Sequence, residues 1–277
     1  RVEAGFLHFT DIGGVDPRVL PGQPVTVYGR EELPGIVVQP PLPLLPTQHR
    51  EGPTPMEYLL VDTGLSPERL ARLVRPGDLV SFAQPPFELS GETLAGHSLD
   101  DRASVAALTC CLDELKTHAP SWDVYAVATV QEEISYAGAS TSTFQLQPSL
   151  AVAVDVTFGA SPGSPSHETY PLGKGIVLGY GPNIHPALFK AFKDLADRLE
   201  IPYSIEAIPG GSSGTDATAM QVTTEGFPSM VLAIPLRYMH TPVEVVSIKD
   251  IQRAGRLLAG FIAGVDGEFM QKIAWEE

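Results

Sequence analysis

The sequence feature that most constrains the fold is an apolar run that ends close to two adjacent carboxylates. Residues 123–130 read Asp-Val-Tyr-Ala-Val-Ala-Thr-Val, and their β-branched and aromatic content is typical of a buried strand. Glu132 and Glu133 follow after a single Gln. Two adjacent carboxylates are costly to bury unless a metal ion, a proton or another partner compensates their charge. The run therefore predicts a buried strand that delivers an acidic pair to a functional site.

The composition indicates a globular protein. The 277 residues are 43% hydrophobic and 18% charged, and no apolar run is long enough to cross a bilayer. The net charge of −15 argues against nucleic acids and anionic membranes as partners, because both attract basic patches. Cys110 and Cys111 are adjacent, which is poor geometry for a disulfide and predicts reduced core residues in a cytoplasmic protein.

The first third of the chain is rich in Gly and Pro and contains short strand-like runs. They lie at residues 5–9, 24–28, 35–39, 58–62 and 79–82. Short strands separated by turn signals predict a small β-barrel or sandwich over residues 1–93. Residues 40–55 hold six prolines and predict an irregular loop, with a proline-rich ligand for a partner protein as the alternative.

From about residue 94 the pattern changes to strands that alternate with helices. Strands are predicted at residues 123–130, 150–156 and 230–235, and helices at 103–118, 186–200, 215–224 and 248–263. This alternation predicts an α/β sheet covered by helices on both faces.

Ligand-type side chains lie at the ends of the three predicted strands. Glu132 and Glu133 follow the first strand, Asp155 ends the second, and His240 follows the third. Functional sites in open α/β sheets form at the carboxyl ends of the strands, so we expect these side chains to converge.

Two further carboxylates, Asp100 and Asp101, lie directly before the helix predicted at residues 103–118. Either could cap that helix, and a cap is the simplest role for Asp101. Together with the acidic pair, Asp155 and His240, they form a donor set suited to divalent metals of the zinc, cobalt or manganese kind.

Seven motifs occur in an order that spans nearly the whole chain. They are DIGGVDPRVLPG at 11–22, LDDR at 99–102, TVQEE at 129–133, AVDVT at 153–157, LGKG at 172–175, GTDA at 214–217 and IPLRYMH at 234–240. In these motifs the chain resembles the dinuclear metallo-aminopeptidases of the tetrahedral (TET) and deblocking/glutamyl aminopeptidase family, some of whose members are labelled endoglucanases.

The resemblance implies a mixed sheet sandwiched by helices, as in zinc peptidases, over residues 94–277. It also implies that residues 1–93 form an inserted β-barrel that drives assembly into dimers and dodecamers. The family has one more metal-binding His before this insertion, and neither His8 nor His97 lies in that motif. The resemblance therefore implies either that an N-terminal part of the catalytic domain precedes residue 1 or that the protein is a defective relative.

The resemblance also implies roles for the ligand-type residues. By position, Asp100 would bridge two metal ions, Glu133 and His240 would complete one of them, and Asp155 would bind the other. Glu132 would be the general base that takes a proton from the attacking water.

Asp101, Asp216 and Arg237 are expected to support these residues or to line the substrate pocket. The predicted function is removal of N-terminal residues from peptides by a cytoplasmic homo-oligomer that uses two divalent metal ions, zinc or cobalt first and manganese as a further candidate. Two alternatives remain open: a catalytically impaired relative that acts in assembly or binding, and a glycoside hydrolase of the endoglucanase kind.

Overall fold

A computed structural model describes residues 2–118 and 120–273 and divides the chain into two compact units. The first unit holds the residues up to Phe87 together with His240–Val243, and the second holds Glu88–Met239 and the residues from Glu244 onward. Within the described residues, no helix is both long and apolar enough to cross a membrane.

The first unit is built on one antiparallel sheet. Its elements are β1 (Val2–Glu3), β2 (Phe6–His8), β3 (Pro24–Tyr28), β4 (Glu32–Val38), β5 (Leu60–Asp62), α1 (Pro67–Leu73) and β6 (Leu79–Phe82). The strands lie in the order β1-β2-β5-β4-β3-β6. Alternate residues of β3 enter the core, where Val25 and Val27 are buried, because successive side chains of a strand point to opposite faces.

The proline-rich segment at residues 40–55 is an irregular connection, as the sequence predicts. It contains two short 3-10 helices, Leu42–Leu44 and Thr47–His49. A proline stands directly before each of them, at Pro41 and Pro46, where its restricted φ angle suits a turn.

The second unit contains a mixed sheet. Its strands are β7 (Phe87–Leu89), β8 (Thr93–Gly96), β9 (Ala151–Phe158), β10 (Ile176–Tyr180), β11 (Tyr203–Ala207), β12 (Ser229–Arg237) and β13 (Glu244–Ser247). They run in the order β11-β10-β12-β13-β8-β7, and β9 pairs with β12. The β9–β12 and β10–β11 pairs are parallel, whereas β10–β12, β12–β13 and β13–β8 are antiparallel. The prediction of a mixed α/β fold is confirmed.

Helices alternate with these strands. They are α2 (Leu99–Leu115), α3 (Glu132–Ser135), α4 (Ala137–Leu146), α5 (Pro186–Arg198), α6 (Ala217–Met220), α7 (Ile248–Gly264) and α8 (Gly267–Ile273). Pro186 occupies the first turn of α5, as predicted, and the side chain of His185 accepts the Ala187 N–H at 3.3 Å.

Helices α2 and α7 approach closely at Gly255. A Cβ atom there would lie 2.7 Å from both the Ala107 carbonyl oxygen and the Cys110 Cβ, so a larger residue would force the helices apart. Neither Cys110 nor Cys111 forms a disulfide, and burial raises the pKa of the Cys111 thiol to about 11. Both cysteines are therefore reduced thiols, as the sequence predicts.

The predicted buried strand at residues 123–130 is wrong. The segment has no strand structure, and Tyr125 and Val130 are 63% and 66% exposed. None of the strands in residues 2–118 and 120–273 pairs with it. The β-branched content suggested a strand because these side chains fit a pleated surface, but that preference is realised only beside a neighbouring strand.

Three predicted boundaries are also wrong. Strand β9 continues past Asp155 to Phe158, because its parallel register with β12 extends to the pair Phe158–Leu236. Strand β12 itself runs on to Arg237. The helix predicted at residues 215–224 shortens to α6, and Thr224 beyond it has a φ angle of 52°, which no right-handed helix can include.

Candidate metal centre

Three of the predicted metal ligands come together. Asp100, Glu133 and His240 each offer one ligand atom, and these atoms all lie within 4.8 Å of one another. The residues are separated widely along the chain, and each lies next to an element boundary: at the start of α2, at the start of α3 and shortly after β12.

The backbone is strained at three positions next to these ligands. Ser98 has a φ angle of 53°, Gln131 of 63° and His240 of 61°, which places three non-glycine residues in the left-handed region. Such conformations cost about 1–3 kcal/mol each and persist where the surrounding structure imposes them, often at functional sites.

Asp100 and Asp101 have different local roles. Both have non-helical φ and ψ angles, although they lie within the bounds of α2, and the peptide bond between them is cis. The Asp101 carboxylate accepts the Ser104 N–H at 3.1 Å and so caps the regular part of the helix, as the simplest reading of the sequence predicts. Asp100 is the member of the pair that joins the ligand group.

The acidic pair is held by a close backbone contact. Glu132 and Glu133 begin α3, and the N–H of Gly138 in the next helix donates to the Val130 carbonyl oxygen at 3.0 Å. A Cβ atom at Gly138 would lie 2.3 Å from that oxygen and 2.4 Å from the Val130 nitrogen. Only glycine allows this approach.

Asp216 supports the same segment from α6. The Thr129 hydroxyl donates to Asp216 Oδ2 at 2.6 Å, which links α6 to the residues just before the acidic pair. The other carboxylate oxygen, Oδ1, is buried without a hydrogen-bond partner among the described residues. A buried carboxylate oxygen is costly without a hydrogen-bond partner, so a ligand, an ion or a proton is expected beside it.

A cavity of about 390 Å³ in the second unit collects the acidic side chains, and we call it the acidic cavity. Its lining includes Asp100, Asp101, Glu132, Glu133, Asp155 and Asp216. Val152 and Val154 of β9 form part of the apolar wall of this cavity. The described lining residues include no Lys, Arg or His, so nothing on these walls neutralises the carboxylates.

The carboxylates raise one another's pKa. Burial, followed by repulsion from Glu133, Asp216 and Asp100, raises the pKa of Glu132 to about 7. Burial is also the main cause that raises the pKa of Asp101 and of Asp155. Repulsion from Asp100 and Glu132 raises both further, and Asp101 also raises the pKa of Asp155.

This donor set fits a divalent cation. Two carboxylates and an imidazole within reach of one point match the ligands of zinc and cobalt sites. A cation would also favour the ionised form of the neighbouring carboxylates.

Asp155 and Arg237 lie outside the three-residue ligand group. Asp155 is 8% exposed in the interior of β9, and its carboxylate accepts the N–H of Val156 at 2.7 Å. It lines the acidic cavity, whereas Arg237 does not, and the Arg237 guanidinium donates to the Ala160 carbonyl oxygen at 2.5 Å.

Sequence reasoning missed two residues that support the ligands. A Cβ atom at Gly14 would lie 2.9 Å from His240 Nδ1, so the absence of a side chain there makes room for the imidazole. Glu244 accepts backbone N–H groups at the start of α2. A signal for Glu244 existed, because it is the single acid in the apolar run Val-Glu-Val-Val at residues 243–246.

A mixed α/β sheet with converging carboxylates and an imidazole is the arrangement of metal-dependent hydrolases. A sequence profile of the M42 glutamyl aminopeptidases matches residues 2–257. The chain belongs to this family, and it is a peptide hydrolase of the aminopeptidase class.

Relatives and solved structures agree with this assignment. The chain is 35% identical to the lysyl aminopeptidase of Pyrococcus furiosus over 257 residues, 91% of this chain and 73% of that protein. Its fold matches a TET aminopeptidase from a marine sediment Thaumarchaeota archaeon with a TM-score of 0.91 and 29% identity, over 98% of this chain and 78% of the other. The TET1 peptidase of Pyrococcus horikoshii, which can assemble into a tetrahedron or a large octahedral shell, matches with a TM-score of 0.81 and 28% identity, over 95% and 78%.

The endoglucanase label also occurs among similar structures. A protein described as an endoglucanase from Thermotoga maritima matches with a TM-score of 0.74 and 25% identity, over 99% of this chain and 78% of that one. The family match and the named aminopeptidases favour neither the glycoside hydrolase nor the non-enzymatic alternative.

Proposed function

We propose that this protein removes N-terminal residues from peptides with the help of two divalent metal ions. The observation that carries the proposal is the convergence of Asp100, Glu133 and His240 within 4.8 Å. Six acidic side chains line the adjoining acidic cavity, and such a concentration of negative charge favours metal ions and a positively charged substrate group.

The ligands divide between two ions. Glu133 and His240 would hold one ion and Asp155 the other, with Asp100 shared between them. Zinc and cobalt are the first candidates because the set mixes carboxylate with imidazole, and manganese is a further one. Divalent ions of this kind supply a Lewis acid that polarises the scissile carbonyl and makes water more acidic.

Glu132 is the general base. It lines the acidic cavity beside the ligand group without belonging to it, so its carboxylate is placed to accept a proton. Its carboxylate takes a proton from the attacking water and returns it to the amine of the leaving peptide. The link between Thr129 and Asp216, at 2.6 Å, holds the backbone before Glu132.

The acidic cavity favours a substrate with a free amino terminus. A volume of about 390 Å³ suits one residue better than a long peptide segment. The carboxylates left over from metal binding attract the α-ammonium group, which an internal peptide bond lacks.

The first unit, as an inserted β-barrel, would carry self-association into dimers and dodecamers. The assemblies formed by the Pyrococcus horikoshii TET1 peptidase support this proposal. Cys110 and Cys111 are reduced thiols, which supports a cytoplasmic setting. Multi-angle light scattering should give a mass near two or twelve chains, and a monomer at all concentrations would contradict this part.

The deciding experiment strips the protein with a chelator, restores zinc or cobalt, and measures bound metal together with hydrolysis of aminoacyl-anilides. We expect two metal ions per chain and activity that returns with them. N-acetylated anilides are the control, and they should not be cleaved because they lack a free amine. Less than one ion per chain and no hydrolysis would refute the proposed function.

A further inference from the structure

We infer that Glu244 is a positioning residue for the metal ligand Asp100. The inference rests on the proposed function, because it assigns Asp100 to the metal centre. Glu244 is the first residue of β13 and is only 2% exposed. A buried carboxylate is expensive unless it is paired or hydrogen-bonded, so its partners show what it does.

Glu244 accepts hydrogen bonds from backbone amides at the start of α2. Its Oε2 atom accepts the Leu99 N–H at 2.6 Å and the Asp100 N–H at 3.1 Å. Hydrogen bonds to a charged acceptor are shorter and about twice as strong as neutral ones. The backbone on both sides of the Leu99–Asp100 bond is therefore held by one oxygen atom.

These amides lie at the start of the helix, where acceptors from outside the helix are needed. The first N–H groups of a helix lack an intrahelical acceptor, and Ser98, at the capping position, makes no side-chain capping bond. Asp100 also has non-helical angles, φ −82° and ψ 100°, so the regular helix does not fix its conformation. Glu244 supplies the acceptor that Ser98 does not.

The carboxylate is itself held in place by the sheet. Strand β13 pairs with β8, and Glu244 lies opposite Gly96 in that ladder. Strand β8 ends at Gly96, three residues before Leu99. The sheet thus fixes both Glu244 and the strand that leads into the Asp100 turn.

Glu244 also lies four residues after His240. The same short segment therefore contains His240, a member of the ligand group, and Glu244, which holds the backbone of Asp100. A shift of this segment would disturb two ligands together, which makes the hydrogen bonds that Glu244 accepts a geometric link between them.

Two substitutions separate geometry from charge. Glu244→Asp keeps the negative charge but withdraws the acceptor by one methylene group. Glu244→Gln removes the charge but keeps an oxygen that can accept from the same amides. The control is Asp250→Asn: Asp250 is another fully buried carboxylate that accepts two amides, Gly173 N–H at 2.5 Å and Gly175 N–H at 3.1 Å, away from the acidic cavity.

The readouts are zinc affinity by calorimetry on the metal-free protein and the d–d absorption of the cobalt-loaded protein. We expect Glu244→Asp to weaken zinc binding by about 10–100-fold and to change the cobalt spectrum. Glu244→Gln and Asp250→Asn should bind zinc as the wild type does. In kinetics, Glu244→Asp should lower kcat with little change in KM, because Glu244 does not line the acidic cavity.

Three outcomes would overturn the inference. Unchanged zinc affinity in Glu244→Asp would show that the hydrogen bonds do not position Asp100. Equal losses in Glu244→Gln and Glu244→Asp would assign the effect to charge, and an equal loss in Asp250→Asn would assign it to general destabilisation. If the wild-type protein itself binds no zinc, the proposed metal centre fails as well, so the two failures are distinguishable.

Discussion

Glu132 and Glu133 show how two adjacent residues of the same type can lie in different environments. Glu133 offers a ligand atom to the group with Asp100 and His240, whereas Glu132 is not a member of that group. Glu132 instead has a pKa raised to about 7 by burial and by three neighbouring carboxylates. This difference in position agrees with the roles that we propose, Glu133 as a metal ligand and Glu132 as the general base.

At this scale we predict opposite effects for two substitutions. Glu132→Gln should lower kcat by about 10²–10⁴-fold, because the amide cannot accept a proton. It should leave the bound metal unchanged, as measured by elemental analysis after dialysis. His240→Ala should lose zinc affinity instead, because it removes one donor of the ligand group. Equal metal loss in both variants would show that the two roles are wrongly assigned.

At the scale of elements, the position of the acidic pair depends on how closely α4 approaches the segment before α3. Gly138 lies near the start of α4 and meets the backbone of Val130 with no room for a side chain. Residues 123–130 have no ladder partner among the described residues, so this contact and the bond from Thr129 to Asp216 hold the segment. Tertiary contacts, and not strand pairing, therefore place Glu132 and Glu133 at the site.

We therefore expect Gly138→Ala to cost about 1–3 kcal/mol of unfolding free energy, as overpacking does. It should also weaken zinc binding, since Val130 and the acidic pair must shift together. The matched control is Gly264→Ala, also in a helix, where an added Cβ meets nothing within 4 Å. Urea unfolding and zinc calorimetry on both variants test this, and similar results for the two would contradict it.

At the scale of the whole molecule, the acidic cavity makes stability depend on metal and on pH. Burial raises the pKa of both Asp155 and Asp101, and repulsion from Asp100 and Glu132 raises both further. A carboxyl group whose pKa is raised by folding binds more protons in the folded state than in the unfolded state. The free energy of unfolding then falls as the pH rises above the ordinary pKa of the carboxyl group in the unfolded chain.

We predict that Asp155→Asn makes the metal-free protein more stable at pH 7 by about 1–2 kcal/mol, because it removes a carboxyl group that burial forces to take up a proton on folding at this pH. The gain should shrink towards pH 4, where the unfolded chain also begins to protonate this group. With zinc present, the wild type should be more stable than the variant, because Asp155 is a proposed zinc ligand that the variant lacks. Urea unfolding at pH 4, 5.5 and 7, with chelator and with zinc, measures this. A wild type that is more stable than the variant at pH 7 without metal would refute it.

The sequence by itself determined the features that depend on neighbouring residues. Helix α5 is readable from Pro186 and its apolar spacing, α7 from its periodicity, and the short strands of the first unit from alternation and turns. The donor residues Asp100, Glu133 and His240 were likewise visible as ligand types near element boundaries.

Only the tertiary structure decided the features that depend on a distant partner. Residues 123–130 have strand composition but no pairing strand in the described chain, and β9 passes Asp155 because β12 extends its ladder. Glu244 reaches Leu99 across 145 positions of sequence, and Gly14 makes room for the ring of His240. Propensity and periodicity are local, whereas ladder pairing and buried hydrogen bonds are chosen by the fold as a whole.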